Sequence, residues 1–130
     1  MTTKIRFNHI APHFVVKDVE ASISFYKNLL GFEVDYEKGS PIAYAVVCRD
    51  EVYIHLCLQK TQNFKIGPGC CFISVSNVNS LWNRVNSYKI NIIEPLKEND
   101  YGYGACFKDF KIKDADNNVL RIGEPIRLLC

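Results

Sequence analysis

The sequence has no apolar run of the length that a membrane span requires, and it has no concentrated cluster of basic residues. A membrane-spanning helix needs about 20 successive apolar residues. The net charge is only +2, with Lys and Arg scattered along the chain, whereas nucleic-acid binding requires a basic patch or stripe. Residues 1–6 contain no apolar stretch of the kind found in a signal peptide. We therefore expect a cytoplasmic protein that binds neither membranes nor nucleic acid.

The six cysteines also lack a recognisable arrangement. No two of them have the spacing of a zinc-binding or redox pair, and most lie within apolar, strand-like segments. Cytoplasmic proteins generally keep their thiols reduced. The sequence therefore predicts reduced, buried thiols and no disulfide framework.

A strand-to-helix passage is what the sequence does contain, and it occurs twice. One apolar segment leads through Asp18 into a helical pattern, and another leads through Asn77 into a second helical pattern. Such self-similarity indicates a duplicated supersecondary unit. With 130 residues, 48% of them hydrophobic, we expect one domain, residues 1–130, with an adequate core.

Each copy of the unit is predicted to contain one strand, one helix and then three strands. Asp18 is placed as the helix N-cap and Gly31 as the helix end. The fold class is thus α+β, with two βαβββ modules at 8–60 and 69–124 joined by a linker at 61–69. The strands are predicted at 9–17, 32–37, 42–49, 52–59, 70–76, 92–95, 107–113 and 119–122.

The hairpin of the third and fourth strands indicates which face of the first module packs on its helix. With a two-residue loop at 50–51, Val47 pairs with Ile54 and Ala45 with Leu56, which makes one apolar row. The opposite face of the strands mixes aromatic and polar side chains, as a pocket lining does. The same alternation places Cys70, Phe72 and Arg121 on the face of the second module that points away from its helix. We predict that a ligand binds on these open faces of both modules, at His13, Tyr44, Tyr53, His55, Cys70, Phe72 and Arg121.

Short motifs follow one another along nearly the whole chain, at 18–26, 29–32, 44–51, 70–75 and 114–125. In order and spacing they resemble the vicinal oxygen chelate superfamily of glyoxalases, bleomycin-resistance proteins and extradiol dioxygenases, with the best match to the bleomycin-resistance branch. The last motif resembles the family's Asp-Pro-Asp-Gly-Asn turn, although Ala115 and Asn117 replace the usual Pro and Gly.

The resemblance implies that the two modules form a curved, open eight-stranded sheet with the helices on the outer face. It also implies that the open faces form a cleft. A homodimer with pockets between its subunits is a further implication.

The metal site of the metal-dependent branches is a set of four side chains in the cleft, usually His, Glu or Gln. The resemblance carries those positions onto Ala11, His55, Cys70 and Arg121. His55 is a ready ligand and Cys70 would have to bind as a thiolate, whereas a catalytic zinc site needs about three protein ligands. Ala11 offers no ligand atom, and Arg121 brings a permanent positive charge. We expect no metal and no cofactor.

Two other arrangements stay open on the predicted open face. His9 and His13 share a face with Ala11, and an altered strand register would bring His13 toward His55. A Cys70–His55 nucleophile pair is conceivable, although no third, orienting residue is evident. The loop at 101–104 is either a Gly-rich connection or a lid over the cleft.

The function implied by the resemblance is that of a metal-free protein that sequesters a small organic molecule without changing it, as in antibiotic resistance. The chain is slightly basic, and Arg121 on the open face disfavours the cationic bleomycin itself. An aromatic, neutral or anionic ligand is expected, unless Asp109 or a nearby Glu neutralises Arg121. A metal-dependent lyase or dioxygenase and a non-catalytic subunit or interaction domain are the two alternatives.

Overall fold

The computed structural model describes residues 3–60, 65–88 and 90–126, and it contains the predicted order of elements twice. The α+β class and the two βαβββ modules are confirmed. In the described residues neither helix is long and apolar enough to cross a membrane. The strands are β1 (His13–Val16), β2 (Glu33–Lys38), β3 (Tyr44–Arg49), β4 (Val52–Leu58), β5 (Cys70–Ser74), β6 (Asn91–Asp100), β7 (Cys106–Lys113) and β8 (Val119–Pro125), and the helices are α1 (Val19–Leu30) and α2 (Val78–Asn86).

The strands of each module form one mixed, open sheet. The order is β1-β4-β3-β2 in the first sheet and β5-β8-β7-β6 in the second. In both, the first strand runs parallel to its neighbour, and the other neighbours are antiparallel. The eight strands of the predicted open sheet are therefore two four-stranded sheets with equivalent topology.

The hairpin register is the predicted one. Val47 lies opposite Ile54 and Ala45 opposite Leu56, and all four side chains are buried. They join a single hydrophobic cluster that also contains the apolar faces of both helices and of β7 and β8. One continuous core therefore serves both modules, and it leaves the other face of each sheet open.

The N-terminus of α1 has the expected side-chain cap, whereas the N-terminus of α2 is capped by a residue from another strand. Asp18 accepts a hydrogen bond from the Ala21 amide at 3.1 Å and caps α1, which ends at Gly31 with a φ of 72°. Asn77 makes no such bond, and Glu124 from β8 accepts one from the Val78 amide at 2.8 Å instead. The start of α2 is thus fixed by a residue that is distant in the sequence.

The first and sixth strands differ in length from their predictions. β1 covers four residues rather than 9–17, because only His13–Val16 pair with β4, and Ile10 before them is 93% exposed. β6 extends to Asp100, beyond the predicted end at Pro95. A proline lacks an amide donor and is tolerated on an edge strand at an irregularity, and the β6–β7 register shifts around this residue.

The cysteines correct the expectation of six reduced, buried thiols. Cys106 is disulfide-bonded, whereas Cys48, Cys57, Cys70 and Cys71 are free and Cys70 is exposed. Spacing along the chain carries no information about which thiols meet in the fold. The cytoplasmic location stays a prediction.

A buried carboxylate, Asp114, fixes the turn before β8 to the first module. Its Oδ1 accepts hydrogen bonds from the amides of Asp116 and Asn118, both at 2.9 Å. Its Oδ2 accepts one from the Tyr26 hydroxyl at 2.9 Å and one from the Asn118 side chain at 3.1 Å. Tyr26 belongs to α1 and is fully buried. Burial, followed by the charge of Asp114, raises the pKa of Tyr26, so the phenol stays a donor.

Replacing Asp114 by Ala is expected to lower the free energy of unfolding by about 3 kcal/mol, because it leaves several buried donors without an acceptor. Tyr26→Phe removes one donor and is expected to cost about 1 kcal/mol. Urea unfolding followed by circular dichroism measures both. Glu51→Ala, in the exposed β3–β4 turn, is the matched control, and an Asp114 variant as stable as this control would contradict the role of the carboxylate.

Candidate functional site

The predicted site residues form two groups, one on each sheet. Within the described part of the chain, the hydrogen bonds and ring contacts of each group stay on its own sheet. We call the open face of the first sheet, with the rings of His13, Tyr36, Tyr44, Tyr53 and His55, the ring face. The predicted residues on the second sheet are Cys70, Phe72 and Arg121.

The centre of the ring face is a stack of two histidines. His13 and His55 are register partners on β1 and β4, and their rings stack with centroids 4.3 Å apart and planes inclined by 16°. The Tyr44 ring stands edge-on to His55 at 5.6 Å, and its hydroxyl bonds to His55 Nδ1. Tyr36 is edge-on to Tyr44 at 6.4 Å. The rings thus form a continuous row across all four strands of the sheet.

Strand alternation accounts for this row, with one exception. Tyr53 and His55 are two residues apart on β4, so they share a face. Tyr36 is the ring that sequence reasoning missed. The register between β2 and β3 shifts between Val34 and Tyr36, which leaves Tyr36 opposite Val46 on the open face. A bulge of this kind leaves no clear signal in the sequence.

His9 extends the ring face beyond β1. Its ring lies 5.8 Å from that of Tyr53, although residues 3–12 have no regular secondary structure. All three histidines of the chain therefore lie on or beside this one face. Strand alternation predicts His9 and His13 on this face, and His13 was expected to approach His55 only through an altered register. In the structure the ordinary parallel register brings the two together.

Burial sets the protonation states of His55 and Tyr44, the two hydrogen-bonded rings. Burial first, and then the charges of His13 and His9, lower the pKa of His55. Burial, followed by Cys57 and Tyr36, raises the pKa of Tyr44. At neutral pH His55 is therefore neutral and Tyr44 is a phenol. We assign the bond between them with the Tyr44 hydroxyl as donor and His55 Nδ1 as acceptor.

The thiol nearest the rings is Cys57, whose Sγ lies 3.7 Å from His13 Nδ1. Burial raises the pKa of Cys57, and the opposing effect of Lys60 is smaller. A nucleophilic cysteine requires a lowered pKa. The Cys57–His13 contact therefore lacks the activated thiolate of a catalytic pair, and Cys70, on the other sheet, makes no contact with His55 in the described structure.

Arg121 is tied into an ion-pair network on the second sheet. Its Nη1 donates to Asp109 Oδ1 at 3.1 Å and to the Tyr101 hydroxyl at 3.0 Å. Its Nη2 donates to Glu94 Oε2 at 3.2 Å. Glu94 also pairs with Lys111 at 2.9 Å. The carboxylates of Asp109 and Glu94 therefore balance the charges of Arg121 and Lys111. Because Arg121 is neutralised in this way, it gives no reason to expect an anionic ligand beside it.

Asp109 is the buried anchor of this network, with 1% of its surface exposed. It accepts hydrogen bonds from Asn99 and from the Tyr101 hydroxyl, both at 2.7 Å. Gly123 lies opposite Asp109, and a Cβ there would come within 2.5 Å of the Asp109 Cβ. The glycine thus makes room for the carboxylate. Tyr101, in the loop expected to be a connection or a lid, is held down by these bonds.

Two aromatic residues on the open face of the second sheet lie beside the network. Phe72 and Phe107 pack edge-on with centroids 5.4 Å apart, and Phe72 is 46% exposed. The open face of this sheet therefore also combines an aromatic surface with polar groups.

The side chains at the family's metal positions do not fit a catalytic metal. His55 lies on the first sheet, with its Nδ1 bonded to Tyr44, whereas Cys70 and Arg121 lie on the second and Arg121 is paired with carboxylates. Ala11 has no ligand atom. Among the described residues no three His, Cys, Asp or Glu side chains are grouped to hold a metal ion.

Two cavities lie near these elements. One of about 400 Å³ opens beside the ring face at Tyr36 and Tyr44. A larger one of about 570 Å³ lies between the β3–β4 turn and the start of α2. Its arginines, Arg49 and Arg84, donate to the carbonyls of Leu30 and Leu29 at 2.7 and 3.0 Å. These two arginines connect the elements around the larger cavity. None of the residues that define the ring face is among the described residues that line it.

The sequence profile of the Glyoxalase/Bleomycin resistance protein/Dioxygenase superfamily matches residues 6–122. The chain belongs to this superfamily. The resemblance that the motifs carry is thereby confirmed over most of the chain. No curated protein sequence matches this superfamily member significantly.

Solved structures show the same fold at low sequence identity. TioX from Micromonospora sp. ML1 is 12% identical, with a TM-score of 0.78 over 92% of this chain and 100% of that one. TnmS3, an antibiotic binding protein from Streptomyces sp. CB03234, is 16% identical, with a TM-score of 0.76 over 95% and 100%. Lactoylglutathione lyase from Agrobacterium tumefaciens is 16% identical, with a TM-score of 0.70 over 93% and 96%. The superfamily scaffold thus carries both binding proteins and enzymes.

The His13→Gln variant tests the coupling between the stacked imidazoles. Because it removes a neighbouring charge, the pKa of His55 is expected to rise, while burial keeps it below the ordinary value of about 6.5. A lowered pKa in the folded state means that the unfolded chain binds the proton more readily. The free energy of unfolding is therefore expected to fall as the pH drops below about 6.5, and less steeply in the variant.

Proton NMR titration and urea unfolding at several pH values measure the two effects. His9→Gln is the matched control, with a smaller expected rise in the pKa of His55, because the charge of His9 lowers this pKa less than the charge of His13 does. An unchanged pKa of His55 in the His13 variant would show that the two rings are not coupled.

Proposed function

We propose that this protein binds a planar aromatic small molecule on the ring face and sequesters it without chemical change, in the manner of the bleomycin-resistance branch. The observation that carries this proposal is the continuous row of rings centred on the stacked His13 and His55. Aromatic rings bind other flat rings by stacking and edge-on contacts, worth about 0.5–1.5 kcal/mol per pair beyond the area buried. The partly exposed rings of Tyr36, Tyr44 and Tyr53 offer this surface to a ligand.

Binding without reaction is supported by the state of the groups beside the rings. The pKa of the Cys57 thiol is raised, and His55 Nδ1 is engaged by Tyr44. The four metal positions of the family hold side chains that do not make a ligand set. The antibiotic-binding TnmS3 has the same fold, which supports a binding role for this scaffold.

Single-ring deletions test the site. Tyr44→Leu and Tyr53→Leu are each expected to raise the Kd for a neutral planar probe, 2-naphthamide, about tenfold, because each removes one ring contact. Tyr44→Phe keeps the ring and is expected to change the Kd less than Tyr44→Leu does. Isothermal titration calorimetry measures the Kd, and thermal unfolding verifies that each variant is folded.

Tyr88→Leu, a partly exposed tyrosine just after α2, is the matched control and is expected to leave the Kd unchanged. Folded ring-face variants that bind the probe as tightly as this control would place the site elsewhere. Failure of the unmodified protein to bind either 2-naphthamide or its charged analogues would count against the proposed function itself.

We also propose that the protein is a homodimer in which a second copy covers the open ring face. A ligand site generally buries 70% or more of a drug-sized ligand, and one open sheet does not enclose a molecule to that extent. The segment before β1 carries three large apolar side chains, Ile5, Phe7 and Ile10, which are 89%, 94% and 93% exposed. Exposed apolar side chains grouped in this way are typical of an interaction surface.

Replacing Phe7 by Asp is expected to lower the association constant of the dimer at least about tenfold. The change removes an aromatic side chain that the proposed dimer would bury, and it places a charge in the interface. Sedimentation equilibrium measures the association constant. Tyr103→Asp, another fully exposed aromatic residue but in the loop before β7, is the control and is expected to leave the constant unchanged. A monomeric parent protein at high concentration would contradict the proposal.

A further inference from the structure

We propose that the ligand of the ring face is a planar aromatic anion whose carboxylate, sulfonate or phosphate group is held by Lys38 and Lys60. This inference rests on the proposed function, since it names the class of molecule that the same site takes. The cations that bind the ligand anion are then Lys38 and Lys60 at one end of the first sheet, and not Arg121 on the second sheet.

The cavity beside the ring face places these lysines next to aromatic surface. It measures about 400 Å³, which is within the range of small-molecule sites. Tyr36 and Tyr44 give it aromatic walls, and the Tyr44 hydroxyl bonds onward to His55. A ligand ring on the row of rings therefore reaches the lysines through one connected site. The cavity is lined by Tyr36, Lys38, Gly39, Ala43, Tyr44 and Lys60.

The lysines are available because no carboxylate neutralises them in the described structure. The ion pairs of the described residues involve Arg49, Arg121 and Lys111 as cations, and neither Lys38 nor Lys60 takes part in one. Among the described residues that line the cavity, none is acidic. The positive charge at this end of the ring face is therefore free to attract a ligand anion, unlike the charge of Arg121.

Charge is also separated along the ring face, which gives the ligand a direction. Lys38 lies opposite Tyr44 at one end of β3, and Glu33 lies opposite Cys48 near the other end. Burial, followed by Asp35 and Glu33, raises the pKa of the Cys48 thiol, so both carboxylates act at that end. The ends are four residues apart on β3, roughly 13 Å. An anionic group is thus attracted at the lysine end and repelled at the other.

The backbone holds the lysine end of the cavity in place. The Ala43 amide donates to the Lys38 carbonyl at 2.8 Å, and the Leu58 amide donates to the Ala43 carbonyl at 2.9 Å. Gly39 has a φ of 103°, and a Cβ there would lie 2.8 Å from the Pro41 carbonyl oxygen. The turn between β2 and β3 is therefore close-packed around the glycine, and the cavity is formed before a ligand arrives.

Calorimetric titration with three probes that share one ring system tests the inference. The probes are 2-naphthoate, which is anionic, 2-naphthamide, which is neutral, and 2-naphthylmethylammonium, which is cationic. The naphthoate is expected to bind about tenfold more tightly than the amide, and the ammonium compound most weakly. The preference is expected to shrink as salt rises from 0.05 to 0.5 M, because exposed charges are screened (these concentrations span roughly 14 to 4 Å in Debye length).

Lysine variants locate the charge effect. Lys38→Gln and Lys60→Gln are each expected to raise the Kd of the naphthoate about two- to five-fold, and the double variant about tenfold. The Kd of the amide is expected to stay unchanged in all of them. Lys27→Gln, an exposed lysine in the last turn of α1, is the matched control.

Each contrary result has one meaning. Equal affinity for naphthoate and amide, with no effect of the lysine variants, overturns the inference and leaves the proposed function standing. Loss of the preference in Arg121→Gln, but not in the lysine double variant, also overturns it, because the anion then lies on the second sheet. Absence of binding by all three probes counts against the proposed function and the inference together.

Discussion

Side chains of neighbouring residues in a strand point to opposite faces, and in this protein one face of each sheet packs in a shared core. Val47 and Ile54 on this face are almost completely buried, with 1% and 0% of their surface exposed. Once such residues face the helices, Tyr44, Tyr53 and His55 have only the open face to occupy. The ring face is therefore a consequence of the core register. A slip by one residue would bury the imidazoles and expose the aliphatic row.

The two open faces treat charge in different ways. On the second sheet the buried Asp109 balances Arg121, and Gly123 provides the space for it. Desolvated charges in such a place need partners, because an unpaired buried ion is costly. On the first sheet Lys38 and Lys60 are exposed, so water solvates them and no partner is required. Charge without a carboxylate partner thus lies at the solvent-exposed edge of the described fold, where the proposed ligand anion would bind.

The parts of the fold that were predictable from the sequence depend on local patterns. The Asp18 cap and the Val47–Ile54 register follow from residues close together in the chain. The parts that were not predictable depend on contacts between distant residues. Glu124 caps α2, and a bulge turns Tyr36 to the open face. Neither feature has a periodicity or spacing by which it might be found.

The candidate site shows the same division. His13, Tyr44, Tyr53 and His55 were assigned to one face from alternation alone, and the structure places them there. Cys70, Phe72 and Arg121 were assigned by the same alternation to the open face of the second module. The resemblance implied that the two open faces form one cleft, and in the described structure no contact joins the two sets. Alternation fixes the face of a strand on which a residue lies. It carries no information about which faces of different sheets meet.

His55 falls at one of the four positions that the resemblance carries over from the metal-dependent members of the superfamily. In this chain its ring stacks on His13 and its Nδ1 lone pair accepts the Tyr44 hydroxyl. A lone pair that accepts a hydrogen bond is not available to a metal at the same time. The His55 ring instead forms the middle of an aromatic row, and its lowered pKa keeps this imidazole neutral at neutral pH.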